Sequence, residues 1–370
     1  MRTIHGEASF HLATAELDLD MTQRGGHLAP VVFHLDGRDV SPYALAPWKP
    51  EEYPDLPPLL SVLRGDFLCL PFGGQLEGPP HGGTANCEWT QLDSDERSLK
   101  FKIETTDIGA TAVKILSTRE GQHAIFFTYQ ISKLEGDFNY GTHPILDFSG
   151  LPEGAARVTT SAFHWGSVFP EPFSNPADGE TQALAEGAEF TDLREVALAA
   201  GGTTDLTCYP SRLGNDDLVM FAHVPASEDQ PFAWSAARLD GYVWFSLKNQ
   251  ADFPCTMLWL SNGGRTAAPW NARHAGRMGI EDVCSYFSNG VDQSRLDLLA
   301  ANGIPTTRRF HANDSVTLKV IHGVALVPED FSAICQISPD GDGHVSIIDD
   351  LGQKIRVSLD WKFLAAREIQ

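Results

Sequence analysis

The sequence predicts an all-β, sandwich-like protein built as one large domain over residues 1–370. Short runs rich in β-branched and aromatic residues recur along the chain, separated by glycine, proline and asparagine turns. No strand pattern alternates with a helical one, so a parallel sheet with crossover helices is not expected. Hydrophobic residues make up 42% of the 370, enough for a substantial core, and no linker or break in composition divides them.

Strand-like alternation begins at once, over Ala8 to Leu12 and Ala15 to Asp20. A Gly25-Gly26-His27 turn precedes a further strand at Leu28 to Leu35. Six prolines between Pro42 and Pro58 exclude regular structure and predict a long ordered loop. Leu60 to Trp89 follows, with an apolar run, two glycine-rich turns and His81 between a proline pair and a glycine pair. Strands are predicted at 98–106, 111–119 and 123–132. Residues 136–178 are again turn-rich and hold His143, His164 and Trp165. The alanine-rich interval Ala183 to Ala200 reads as a helix or an excursion. Strands resume within 218–262, and Ser294 to Asn302 has the best helical spacing, with Gly303 as its stop. Four more strands close the chain, and Pro339-Asp-Gly-Asp-Gly reads as a hairpin turn, since it lacks the glutamate of a calcium loop.

The charge balance of 27 basic against 49 acidic residues gives a formal −22, which repels nucleic acid and anionic membrane surfaces but not a neutral ligand. Six scattered cysteines without zinc spacing predict buried free thiols in a reducing compartment. The first twenty residues lack the apolar core of a signal peptide, and no apolar run reaches membrane-spanning length. A soluble, cytoplasmic protein is expected. Nucleotide-binding, nucleophile-elbow and zinc-protease motifs are absent, so no cofactor and no metal are predicted.

The residues that can carry chemistry lie in turn-rich surroundings. His81 is either a rim histidine or a hydrogen-bonding group, and Asn86 follows it. His143, between a Gly-Thr turn and Pro144, is either a proton donor or a strand-end histidine. Glu281 sits in an apolar run where desolvation raises its pKa and suits a general base, unless it pairs with Arg273 or Arg277. A histidine facing a carboxylate across a neutral substrate makes an acid–base pair without a cofactor.

Pro71-Phe72-Gly73-Gly74, His81-Gly82 with Trp89, Thr142-His143-Pro144, Asp216 or Asp217 before a strand, and Gly279-Ile280-Glu281 occur in that order. This order resembles the aldose 1-epimerase, or galactose mutarotase-like, superfamily over roughly residues 15–330. The resemblance implies a β-supersandwich with a sugar-binding cleft and a small sugar as the substrate. It makes His143 the general acid at the ring oxygen and Glu281 the general base at the anomeric hydroxyl. His81 and Asp216 would bind sugar hydroxyls, with Trp48, Trp165 or Trp270 stacking on a sugar face.

This chain departs from the pattern where Gly73-Gly74 replaces the usual Asn-Arg, removing a guanidinium that Arg64 or Arg273, next to His274, is expected to replace. Asp282 follows the base where proline is usual, placing a second carboxylate beside it, and Ile145-Leu146 replaces an aromatic-Asn pair. About 40 residues from 330 onward are additional to the pattern. The alternative function is a non-catalytic carbohydrate-binding protein of the same fold. A lyase or hydrolase acting on acidic polysaccharide is disfavoured by the net charge.

Overall fold

Two large antiparallel sheets lie face to face in the computed structural model, which describes residues 1–365. One has nine strands, centred on Gln122–Ser132, Ser315–Leu326 and Tyr242–Lys248. The other has eight, centred on Asp216–His223, Cys255–Ser261 and Arg277–Cys284. A five-stranded meander over residues 2–40 abuts them, with Leu17, Leu19, Val31 and Phe33 fully buried in the same core as the inter-sheet residues.

Every residue of Asp216–His223, Tyr242–Lys248 and Cys255–Ser261 is buried. Both faces of these strands are covered, so they read as continuous apolar runs rather than alternating ones. On Arg277–Cys284, Met278, Ile280 and Cys284 join the inter-sheet core, while Val283 faces the opposite side, toward Phe67, Met257 and Trp259. That outer face of the eight-stranded sheet is roofed by loops and carries the candidate site.

The final strands, Ile334–Pro339, His344–Asp349 and Lys354–Ser358, form a separate three-stranded sheet. Ile337, Val345 and Ile347 from it pack on Phe126, Phe245 and Ile321, covering the outer face of the nine-stranded sheet. Residues 339–344 turn a hairpin, as expected.

Two local expectations are corrected, and the alternative left open at 183–200 is decided. Ser294 to Asn302 is not one helix: an α-helix ends at Ser294, Asp297 takes a left-handed φ of 53°, and a 3₁₀ turn at Ala300–Asn302 precedes Gly303. The 183–200 interval is an excursion with short strand pairings and no helix. Of the free cysteines, Cys69, Cys255 and Cys284 are buried, but Cys87 and Cys335 are exposed. Among the described residues no helix is long and apolar enough to cross a membrane.

Candidate active site

Strand register brings the two expected catalytic residues together. Gly141 is opposite Val283 and Ile145 is opposite Gly279, so His143 stands directly across from Glu281. The strand is interrupted there, between Tyr140–Thr142 and Ile145–Asp147, by Pro144, which has no N–H to give the ladder. The His143 N–H points to the neighbouring 66–69 segment, donating to the Phe67 carbonyl at 3.0 Å and to Asp66 Oδ1 at 3.1 Å.

His143 Nε2 lies 3.4 Å from Glu281 Oε1. Both side chains are buried, at 5% and 2% exposure, so the contact is largely screened from water. Burial drives the His143 imidazole well below its usual pKa and the Glu281 carboxyl well above its own. Each shift favours the uncharged form. Arg273 does not pair with Glu281; it binds Glu52 at the surface, 3.2 Å away. Arg277 reaches Asp147 instead, at 3.7 Å.

Stacking fixes the imidazole. The Phe67 ring lies parallel to His143 with centroids 4.6 Å apart, and His27 stacks on the other face of Phe67 at 4.0 Å. His81 meets the His143 ring edge-on at 5.1 Å, and burial among Phe67, Phe72 and His143 lowers its pKa to about 4. Its backbone is left-handed, φ 62°, which is costly for a non-glycine residue and typical of functional turns. Gly82 is required beside it, because a Cβ there would stand 2.0 Å from the Leu70 carbonyl oxygen.

A cleft of about 220 Å³ opens over this group. That lies below the ~300 Å³ floor of drug-sized sites and suits a small ligand. Leu59, Leu60 and Leu63 form one wall, Trp259, Trp270 and Phe173 the other, and His81, His143, Glu281 and Arg265 supply the polar groups. Among the described residues no three His, Cys, Asp or Glu are grouped to hold a metal ion.

Several expected ligand-binding residues serve the scaffold instead. Arg64 is 1% exposed and donates to the carbonyls of Val62, Ile4 and His5, because a buried guanidinium must satisfy its donors locally. Asn86 accepts the Leu59 N–H and donates to Pro80 and Gly82, tying the His81 turn to the leucine wall. His274 stacks behind Trp259 at 5.2 Å and hydrogen-bonds Ser261 Oγ at 2.7 Å. Arg273 is held at the surface by Glu52 and Tyr53. Trp48 and Trp165 are buried outside the cleft lining, and only Trp270 of the three expected tryptophans reaches it.

Asp216 shares the cleft-side face with Leu218, whereas Asp217 points the other way and accepts the N–H groups of Ala183 and Leu184. Asp282 likewise points away from Glu281, into the inter-sheet core, where it pairs with Lys248. Asp282 therefore follows the base in sequence but does not stand beside it in the cleft, contrary to expectation. Arg265 and Trp259 are lining residues that sequence reasoning missed. Their only signal was an arginine just past a Gly263-Gly264 turn and a tryptophan inside an apolar strand.

The chain matches no protein-family model and no curated protein sequence. Solved structures do match it. A proposed aldose 1-epimerase from Escherichia coli K12 aligns over 87% of this chain and 100% of its own, with a TM-score of 0.59 and 15% identity. The aldose epimerase homologue from C. elegans covers 87% and 100% with a TM-score of 0.57 at 10% identity. A galactose mutarotase related enzyme from Lactobacillus acidophilus covers 86% and 97% with a TM-score of 0.56 at 10% identity. Likeness at these identities concerns the backbone, and with the two face-to-face sheets and the roofed cleft it leads to one conclusion: the chain has the galactose mutarotase-like fold.

Proposed function

We propose that the protein is an aldose 1-epimerase-like isomerase that interconverts the anomers of a small sugar without a cofactor. The observation that carries this reading is the 3.4 Å contact between His143 Nε2 and Glu281 Oε1 inside a buried cleft. Mutarotation needs one group to accept a proton and another to donate one, and a pair holding a single proton meets that need. Burial favours the form in which Glu281 is protonated and His143 is neutral. Transfer of that proton across the contact gives the carboxylate base and imidazolium acid without changing the net charge.

The carboxylate of Glu281 then takes the O1 proton while His143 gives its proton to the ring oxygen. The C1–O5 bond breaks and a C1 carbonyl forms. Rotation about C1–C2 presents the other face, and the two groups return their protons as the ring closes. The apolar walls exclude water, which strengthens each proton transfer. The names of the structural neighbours, which describe aldose epimerases and mutarotase-related proteins, support the same class of substrate.

A second reading, a carbohydrate-binding protein without turnover, is favoured by Gly73-Gly74, which brings no guanidinium to the cleft. Anomer exchange followed by NMR separates the two. Acceleration abolished in Glu281→Gln and His143→Ala supports the enzyme. Saturable sugar binding without acceleration supports the binding protein.

A further inference from the structure

The cleft holds donors that hydrogen-bond to no acceptor in the protein. Arg265 lays its guanidinium among the rings of Phe173, Trp259 and Trp270, 5.0, 5.4 and 5.0 Å from their centroids. It is half-buried and forms an ion pair with Asp216, whose Oδ2 is 3.6 Å from Nε, too long for a hydrogen bond. Asp216 already accepts from the N–H groups of Asn262 and Gly264 at 3.0 and 2.9 Å and from Ser261 Oγ at 3.1 Å. Trp259 is only 6% exposed, yet its indole N–H meets no acceptor. Buried donors left unpaired are rare and call for an explanation.

The charge local to the cleft points the same way, against the overall −22 of the chain. Burial favours the neutral forms of His81, His143 and Glu281, so among the described residues that line the cleft Arg265 carries the one formal charge, with Asp216 behind the lining as its ion-pair partner. A sugar hydroxyl can accept from these donors but brings an O–H of its own, and Asp216, the acceptor beside them, already receives three hydrogen bonds. An anionic oxygen brings acceptors alone, and a planar guanidinium matches it with two parallel N–H groups.

We propose that the ligand of this cleft is a sugar bearing an anionic substituent, a carboxylate, phosphate or sulfonate, received by the Arg265 guanidinium and the Trp259 indole N–H. That the ligand is a sugar rests on the mutarotase reading; that it is an anion rests on the unpaired donors.

The test compares acids with their neutral parents. NMR anomer exchange is measured for glucose, glucuronate and glucose 6-phosphate with wild type, Arg265→Gln, Arg265→Lys and Trp259→Phe. Wild type should favour one of the anions over glucose by roughly 10²-fold in kcat/KM, the scale of a buried charge pair. Arg265→Gln should bring that ratio close to one, Arg265→Lys should retain part of it, and Trp259→Phe should reduce it several-fold. Which anion is preferred distinguishes carboxylate from phosphate. Equal kcat/KM for glucose and both anions in wild type overturns the proposal, and so does an unchanged ratio in a folded Arg265→Gln protein. Should Arg265→Gln not fold, the wild-type ratio and Arg265→Lys decide.

If no sugar exchanges anomers, the mutarotase reading fails on its own. The anion is then judged by tryptophan fluorescence: saturable quenching by glucuronate or glucose 6-phosphate but not glucose, weakened in Arg265→Lys, supports it. No preference for either anion overturns it.

Discussion

A methyl group on Gly279 would stand 2.4 Å from Glu281 Oε1. Alternate residues of a strand share a face, so both positions face the cleft, and the Glu281 carboxyl folds back over the glycine. The space beside Gly279 therefore belongs to the Glu281 carboxyl. Gly279→Ala should leave the fold intact, because the severe overlap is with the free end of a side chain and Trp259 Cβ, 3.2 Å away, need give only a few tenths of an ångström, while moving Glu281 off its contact with His143. A shift of about 1 Å in such a group costs roughly 10²-fold in turnover. Steady-state kinetics with a thermal melt check this; full activity in a folded Gly279→Ala protein refutes it.

Glu281→Gln should cut turnover by roughly 10²-fold or more, the usual scale for losing an acid or base. The same variant has a stability signature. The folded-state pKa of Glu281 is raised, so the wild-type residue favours folding below its ordinary range near 4.5 and loses that contribution as pH rises through the folded value. Gln does not titrate. Glu281→Gln should therefore melt higher than wild type in alkaline buffer, with the gap closing toward pH 4.5. A gap that does not vary with pH would show that Glu281 is not desolvated.

The sheet architecture was legible because turn residues punctuate strands throughout the chain, and the His143–Glu281 pair because short motifs surround both residues. Their direct opposition was not legible, since it depends on the register between strands that bring together residues 138 apart in sequence (281 − 143). Arg64 and His274 misled for one reason: a buried polar residue and a ligand-facing one look alike in sequence. Both proved to be satisfied internally, Arg64 by backbone carbonyls and His274 by Ser261. Arg265 escaped notice because its place depends on which way the chain leaves the Gly263-Gly264 turn. The 294–302 helix failed at Asp297, whose left-handed backbone interrupts it in a way that periodicity does not reveal.

Acid should unfold the protein early. His27, His143, His223, His274 and His322 are buried, and burial lowers the pKa of each. Below about pH 6.5 the unfolded chain binds protons that the folded one refuses, so stability falls as pH drops through that window. Each such histidine costs about 1.4 kcal/mol per pH unit against a total stability of about 5–15 kcal/mol. Glu281 acts in the opposite direction over the window above 4.5, offsetting roughly one of the five. The melting temperature should fall steeply between pH 6.5 and 5. A flat profile there would contradict the burial of these rings.

Asp282 and Lys248 face each other between the two large sheets, both side chains wholly buried. Ser246 Oγ and Thr256 Oγ1 complete the carboxylate's shell at 2.7 and 2.9 Å. Removing one partner leaves an uncompensated charge in the core, so Asp282→Ala should cost about 3–5 kcal/mol, whereas replacing both with Leu and Met should cost far less or stabilise. Asp282 points away from the cleft, so the double variant should keep the neutral-pH turnover of wild type per folded molecule. Denaturant melts and kinetics on the single and double variants test both halves. If the double variant folds but turns over slowly, the inter-sheet pair reaches Glu281 through the strand they share, and the two faces of Arg277–Cys284 are not independent.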